Sequence, residues 1–510
     1  MNKFMNGLRK DDNYTLTENG GLAHKSTLDS VYDLYALGGA YRSRSDSDCI
    51  LLFKKAFAQD ETMAMKCLFY LRDILQGQGE RRFFRVCLKW LGNEHPDAVR
   101  RNLEYVSELG RWDDIFSLMG TKVEKDVIAL VREQLKMDLK SIEVPNGAVS
   151  LLGKWMPSEN ASSEKTKATA RKLRSELKFS SRQYRRILSA LRKRINVLEC
   201  LMSANEWDKI DYSKIPSQAG MRYRRAFQRH DVERKKAGAI IYEEFVQDDS
   251  TKVNAKALAP YEVVEKALAL SNYSFDWGVR DYVWMPDNTI ERAAIDKYWD
   301  NLHDYFNGMP FNGLCVVDTS GSMRGTPMNV AISLGLYCAE RAKGPFANHY
   351  VSFSSRPQLI ETAGVDFVDK VRRIYETNLC ENTDLEATFD MLLKTALRNH
   401  CSQDELPQTI IIISDQEFDA AQGYYSNGNK NYNTLMENMA LKWETYGYKM
   451  PNLVFWNVNA RHDIFSMKAQ DGISFVSGMS PSLYEQILKG KTAFDLMYET
   501  LSSERYSLIK

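Results

Sequence analysis

The run Gly313-Leu-Cys-Val-Val-Asp-Thr-Ser-Gly-Ser322 decides how the C-terminal part of this chain folds. Its first half, Leu314–Val317, is short and wholly apolar, the pattern of a strand buried on both faces. Three more such runs follow, at His349–Phe353, Thr409–Ile413 and Leu453–Val458. Helical periodicity fills the spaces between them, over Met328–Lys343, Val365–Tyr375, Leu385–Leu397 and Tyr432–Tyr446. Alternation of this kind predicts a doubly wound α/β domain, with ligands at the carboxyl ends of its strands.

The second half of the run sits at such a strand end. Asp318, Ser320 and Ser322 place a carboxylate and two hydroxyls at alternate positions, and Gly321 permits a tight turn between them. All three supply oxygen, the donor a hard cation takes. Two further oxygens arrive later: Thr383 just before a predicted helix, and Asp415 at the end of the run Ile410–Ile413. Asp419 stands a turn further on and is the weaker candidate for the second carboxylate. A D-x-S-x-S turn alone is common in proteins without a metal. The reading rests on strand, turn, threonine and aspartate coming in that order. No nucleophile is paired with a base nearby: His349, His400 and His462 each stand alone, and Ser354 and Ser355 have no evident partner. An enzyme is not expected.

With these residues in order, the segment resembles the von Willebrand factor A domain and its metal-ion-dependent adhesion site. The resemblance implies that Asp318, Ser320, Ser322, Thr383 and Asp415 hold Mg²⁺ (or Mn²⁺), some through water. It also implies an open coordination position that a protein partner fills with a carboxylate, which is binding and not catalysis.

Upstream, residues 46–140 read as successive amphipathic helices punctuated by glycine. Glu61–Gln76 stops at Gly77, Glu80–Leu91 at Gly92, a helix from Pro96 at Gly110, and Trp112–Met119 at Gly120. Short helices on short loops predict an α-solenoid or a bundle, with no repeat period clean enough to name a repeat class from spacing. After a polar break at Ser158–Ser163, twelve Lys or Arg face one acid, Glu176, between Lys165 and Arg194. Tyr184, Ile187, Leu188, Leu191, Ile195, Leu198 and Met202 share one helical face there, with Arg182, Arg186 and Lys193 opposite and Arg185 and Arg192 on a flank. Those five cations, together with Arg171, Lys172, Arg174, Arg222, Arg224, Arg225 and Arg229, are candidate contacts to phosphates. A solvated or protein-binding helical face is the competing explanation of such charges.

The motifs K-W-M-P-S-E (Lys154–Glu159), Y-R-R-I-L-S-A-L-R (Tyr184–Arg192), N-E-W-D-K-I-D-Y (Asn205–Tyr212), I-P-S-Q-A (Ile215–Ala219) and A-F-Q-R-H-D (Ala226–Asp231) resemble the domain-of-unknown-function 2828 family. That family is similar in architecture to the Ro (TROVE-type) ribonucleoproteins, which close α-helical HEAT-like repeats into a ring with an A domain and bind small non-coding RNAs and the ends of misfolded RNAs; the resemblance implies a HEAT-like helical array here. The resemblance implies a Ro-like RNA-binding protein without catalysis. The alternative is a metal-dependent protein–protein scaffold without RNA.

The 510 residues carry 68 Lys+Arg against 67 Asp+Glu, which excludes a uniformly basic coat for nucleic acid. From Phe306 onward there are 18 basic and 23 acidic residues, and upstream 50 and 44, so the two parts differ in sign. The expected organisation is an N-terminal arm (1–45), a helical module (46–305) and the α/β domain (306–510). Eight widely spaced cysteines without a C-x-x-C pair suggest a reducing compartment. No apolar run approaches the roughly 20 residues that span a bilayer, and residues 1–15 lack a signal-peptide core. A cytoplasmic protein is expected.

Overall fold

The computed structural model describes residues 12–270, 273–276, 281–284, 288–353, 356–377, 384–418, 434–468, 472–488 and 493–510. Thr383, Asp419, Ser354 and Ser355 lie outside these residues.

The C-terminal part is built on a sheet of order β10-β9-β8-β5-β6-β7. Its strands are β5 (Gly313–Asp318), β6 (His349–Phe353), β7 (Leu359–Glu361), β8 (Thr409–Ser414), β9 (Asn452–Asn457) and β10 (Ile473–Ser477). All pairings are parallel except β6 with β7. The four apolar runs become β5, β6, β8 and β9. Two strands escape the sequence pattern: β7, a three-residue edge, and β10, which mixes Ser474 and Ser477 with apolar residues and is still buried throughout. Central β8 has Ile410, Ile411, Ile412 and Ile413 all without solvent exposure. Burying such side chains stabilises by about 1.5–3 kcal/mol each, which is why this order is held.

Helices of eight residues or more are numbered here. Upstream they are α1 (Ser30–Leu37), α2 (Asp46–Gln59), α3 (Glu61–Arg72), α4 (Arg81–Glu94), α5 (Glu124–Glu143), α6 (Glu164–Glu176), α7 (Ser181–Arg194), α8 (Ser217–Arg229), α9 (Pro260–Leu270) and α10 (Thr289–Asp300). The sheet's own helices are α11 (Thr326–Arg341), α12 (Phe367–Thr377), α13 (Leu385–Arg398), α14 (Leu435–Thr445) and α15 (Ala493–Ser502). α11 packs on β5, β6 and β8. It approaches β5 closely at Gly335, where a Cβ would lie 2.5 Å from Val317 Cγ2.

Several expected helix ends move, each for a packing reason. The helix expected over Glu61–Gln76 stops at Arg72, because the chain doubles back and the Gln78 and Glu80 amides donate to the carbonyls of Tyr70 and Leu71. Gly92 does not end its helix but lies inside α4, where an added Cβ would press on Thr121 and Leu118. The helix from Pro96 ends at Asn102 and is followed by a π turn at Val106–Gly110. The segment expected to run as one helix from Ser180 to Met202 breaks after Arg194, with Asn196 in the left-handed region at φ 48°.

Packing crosses the boundaries expected at residues 45 and 305. β1 (Tyr14–Leu16) and β2 (Leu22–His24) form a hairpin, β3 (Tyr273–Asp276) and β4 (Asp281–Trp284) a second antiparallel pair, and His24 exchanges backbone hydrogen bonds with Phe465. α1 packs on β10, and Tyr32 Oη both donates to the Phe475 carbonyl and accepts from its amide. The segment expected as an arm therefore covers one edge of the sheet. α9 packs on α11 and α12, and α10 on α12. Arg292 pairs with Asp366 across the latter contact. At the C-terminus α15 returns to α3, and Arg505 and Tyr506 Oη both donate to the buried Asp73. Among the described residues no helix is long and apolar enough to cross a membrane.

Candidate metal centre

β5 delivers Asp318 to the carboxyl end of the sheet with no solvent exposure. The chain then turns sharply, so the Ser320 amide donates back to Asp318 Oδ1 at 2.9 Å. A 3-10 turn over Gly321–Met323 brings Ser322 Oγ within 3.1 Å of Ser320 Oγ. Ser320 is buried and Ser322 exposed, so the hydroxyl pair runs from the core to the surface. The three oxygens expected on this loop are thus together.

β8 lies beside β5, with Val317 opposite Ile413. That register sets Ser414 next to Asp318, and its hydroxyl donates to Asp318 Oδ2 at 2.7 Å. Asp415 follows, also without exposure. Burial first, and then the Asp415 charge, push the Asp318 carboxyl above the usual carboxylate range. Two buried carboxylates at one strand-end, with two hydroxyls alongside, form a donor set suited to Mg²⁺. Thr383 and Asp419, the remaining candidates, lie outside the described residues.

The structure also places groups here that the sequence did not reveal. Arg461, in the loop after β9, donates from Nη2 to Asp415 Oδ2 at 3.0 Å and pairs with Glu18 as well. His462 is not alone: its Nδ1 is 2.8 Å from Oε1 of the buried Glu417. Glu417 Oε2 accepts the Glu18 amide at 2.6 Å, and its carbonyl accepts from Asn19 Nδ2 at 2.6 Å. Ligand atoms of Glu18, Glu417 and His462 lie within 4.8 Å of one another. The β1–β2 turn, the loop after β8 and the loop after β9 therefore meet around Asp415. The pairing of Glu18 with Glu417 spans some 400 positions, a separation no local motif encodes.

The basic candidates divide into two groups. Lys172 pairs with Glu124, Arg174 with Glu159, and Arg224 and Arg225 both with the buried Glu291. Arg192 donates to the carbonyls of Gly153 and Met156, closing the end of the short helix Leu152–Trp155. Arg185 reaches back to the carbonyl of Ser181. These six have work inside the fold. Among the described residues Arg171, Arg182, Arg186, Lys193, Arg222 and Arg229 show no such partner, and all six are exposed. α7 packs on α5, whereas α8, which carries Arg222 and Arg229, packs on α10, so the two clusters have different supports.

The sequence pattern of the domain-of-unknown-function 2828 family matches residues 17–115 and 118–305, more than half of the chain. A second domain of unknown function, DUF7788, matches residues 312–507. The chain is also 28% identical, over 513 residues, to "Uncharacterized protein L728" of Acanthamoeba polyphaga mimivirus, covering 94% of this chain and 85% of that protein. The chain belongs to the domain-of-unknown-function 2828 family.

Proposed function

We propose that this member of the 2828 family is a non-catalytic binding protein whose C-terminal part works as a von Willebrand A-type domain. In that reading Asp318, Asp415, Ser320 and Ser322 hold Mg²⁺ or Mn²⁺, with Thr383 as a further ligand, and the ion captures a carboxylate from a protein partner. The observation that carries it is the meeting of two fully buried aspartates from neighbouring parallel strands with a hydroxyl pair that leads to the surface. Unneutralised, that arrangement is electrostatically costly, and a divalent cation relieves it. Arg461 already neutralises part of the Asp415 charge, so the ion would compete with a guanidinium. Mn²⁺ titration followed by electron paramagnetic resonance tests the reading. One ion bound per chain, lost in Asp318→Ala, is expected; no bound Mn²⁺ refutes it.

A second reading has its own support. We propose that α6 and α7 form a basic surface for RNA in a helical, HEAT-like and Ro-like array. Four exposed cations with no carboxylate partner among the described residues, Arg171, Arg182, Arg186 and Lys193, support it. Retention of the full chain on structured RNA should fall to background when Arg182, Arg186 and Lys193 are changed together to Glu. Removing any one phosphate-binding cation should lower the salt slope by about one. Unchanged retention in the triple variant removes this reading.

A further inference from the structure

A cavity of about 650 Å³ opens between the helical part and the β10 edge of the sheet, a volume typical of small-molecule sites, which favour such interfaces. One wall is the turn into α4, from Gln78 to Arg85, with Arg42 and Asp46 beside it. The opposite wall is Lys256–Glu262, leading into α9, and the floor is Tyr305 with Met479–Pro481 beyond β10.

The charges in this cavity do not balance. Five cations line it, Arg42, Arg81, Arg82, Arg85 and Lys256, against three carboxylates, Asp46, Glu80 and Glu262. The carboxylates are already engaged. Glu80 accepts from Arg42 Nε at 2.6 Å and caps α4 through the amides of Arg82 and Phe83. Asp46 takes Arg82 at 2.5 Å. Glu262 Oε2 accepts the Ala259 amide at 3.1 Å, and burial holds its carboxyl above the ordinary range. Arg85 turns away to Asp113 and Asp114. Arg81 is left over: among the described residues its side chain has no hydrogen bond or ion pair, and its charged neighbours are three cations, Arg111, Arg72 and Arg85, against one carboxylate, Asp113, which Arg85 and Arg111 already hold. A guanidinium held among like charges at the mouth of a cavity is stabilised most by an anion. Its planar fork fits a phosphate with two parallel hydrogen bonds.

The rest of the lining is apolar or aromatic. Ile74, on the rim, is 45% exposed, Met479 and Pro481 lie opposite, and Tyr261 and Tyr305 flank the space. Phosphate alone would leave this surface uncovered. We infer that the cleft binds a phosphorylated small molecule of nucleotide size, its phosphate on Arg81 and its ring against the Tyr261–Tyr305 wall. The inference is independent of the metal centre, which lies on other loops.

Isothermal titration of the full-length chain with ADP, UDP, adenosine and orthophosphate, all in EDTA, tests it. The chelator removes any nucleotide–metal complex as a source of binding. At least one diphosphate should bind one to one, at least tenfold more tightly than either adenosine or orthophosphate. Arg81→Gln should weaken it at least tenfold and Arg81→Lys less, in proteins whose melting is unchanged because the Arg81 side chain makes no internal hydrogen bond. No heat from either diphosphate overturns the inference, as does equal binding of orthophosphate. Unaltered binding in Arg81→Gln overturns it as well.

Discussion

Asp318→Asn separates the two things the Asp318 carboxylate does. In the ion-free protein its charge is buried beside Asp415, and both burial and that neighbour disfavour the ionised form. Its hydrogen bonds are to one backbone amide and one hydroxyl, Ser320 N–H and Ser414 Oγ. An asparagine oxygen keeps an acceptor for these donors, so at most one bond is forfeited, at about 1 kcal/mol. Against that stands the relief of one buried charge beside another, of the order of 1–3 kcal/mol. In EDTA the variant should therefore melt at or above the wild-type temperature. With cation the order reverses. An ion present at 100 times its Kd stabilises by about 2.7 kcal/mol. For a chain of this size that is a rise of a few degrees, growing with the logarithm of concentration. Differential scanning calorimetry from zero to 10 mM Mg²⁺ should give a rising wild-type line, a flat variant line and a crossing between them. A flat wild-type line in both Mg²⁺ and Mn²⁺ refutes the reasoning. So does a variant that responds as the wild type does.

Arg461→Gln should strengthen divalent-cation binding by about fivefold, because it removes a partly exposed guanidinium, worth about 1 kcal/mol, from Asp415; weaker Mn²⁺ binding by calorimetry would mean that Arg461 supports the site. Asp114→Ala should cost about 3–5 kcal/mol in urea unfolding, since Asp114 accepts Arg72 Nε at 2.7 Å and Arg85 Nε at 2.5 Å and its removal strands the buried Arg72. Asp296 gives a pH effect. Burial lifts its carboxyl to about 6, and the nearby charges of Asp366 and Asp300 add to this. The folded state therefore holds this proton more tightly than the unfolded chain, and stability falls as pH rises from about 4 through 6. Asp296→Asn keeps the acceptor for the Phe367 amide. It should be neutral at pH 4 and stabilise by about 1–2 kcal/mol at pH 7.5, a figure discounted for partial exposure; equal effects at both pH values contradict this.

Legibility followed the range of the forces involved. β5 and β8 could be read because a strand buried on both faces must be apolar at every position, and Leu314–Val317 and Thr409–Ile413 nearly are. That Asp318 and Asp415 stand at neighbouring strand ends, with Ser320 and Ser322 on the turn after β5, could be read because the apolar runs mark where those strands stop. β10 could not, since Ser474 and Ser477 interrupt its apolar character while α1 covers it; Ser477 Oγ accepts the Gly39 amide. The basic candidates show the same limit. Charge density identifies Arg192 and Arg224 as readily as Arg186, but only the fold shows that Arg192 caps carbonyls and Arg224 pairs with Glu291. Glycine was ambiguous for a related reason: Gly92 looks like a helix stop and instead lets α4 pack closely on Leu118 and Thr121.

The change of charge sign near residue 306 suggested two modules with separate partners, yet the contacts between them are those of one frame. Tyr32 with Phe475, Gly39 with Ser477 and Ser482 with Gly77 are buried hydrogen bonds between the helical part and the sheet. Arg505 and Tyr506 on Asp73 add charge-assisted ones, and Lys510 donates its amide to Asn102. Parting the two bodies would exchange each of these bonds for water, at a net cost of about 0.5–1.5 kcal/mol apiece. A free hinge at that cost is excluded while these bonds hold. The strand-end site near Asp415 is itself closed by Glu18, from the hairpin at the other end of the chain. A partner engaging that site therefore meets a surface whose geometry the N-terminal residues help to set. Glu18→Ala removes the Arg461 pair while its backbone amide still reaches Glu417, so it should perturb the cation site through Arg461 without touching Asp318, a change in Mn²⁺ affinity that calorimetry would read.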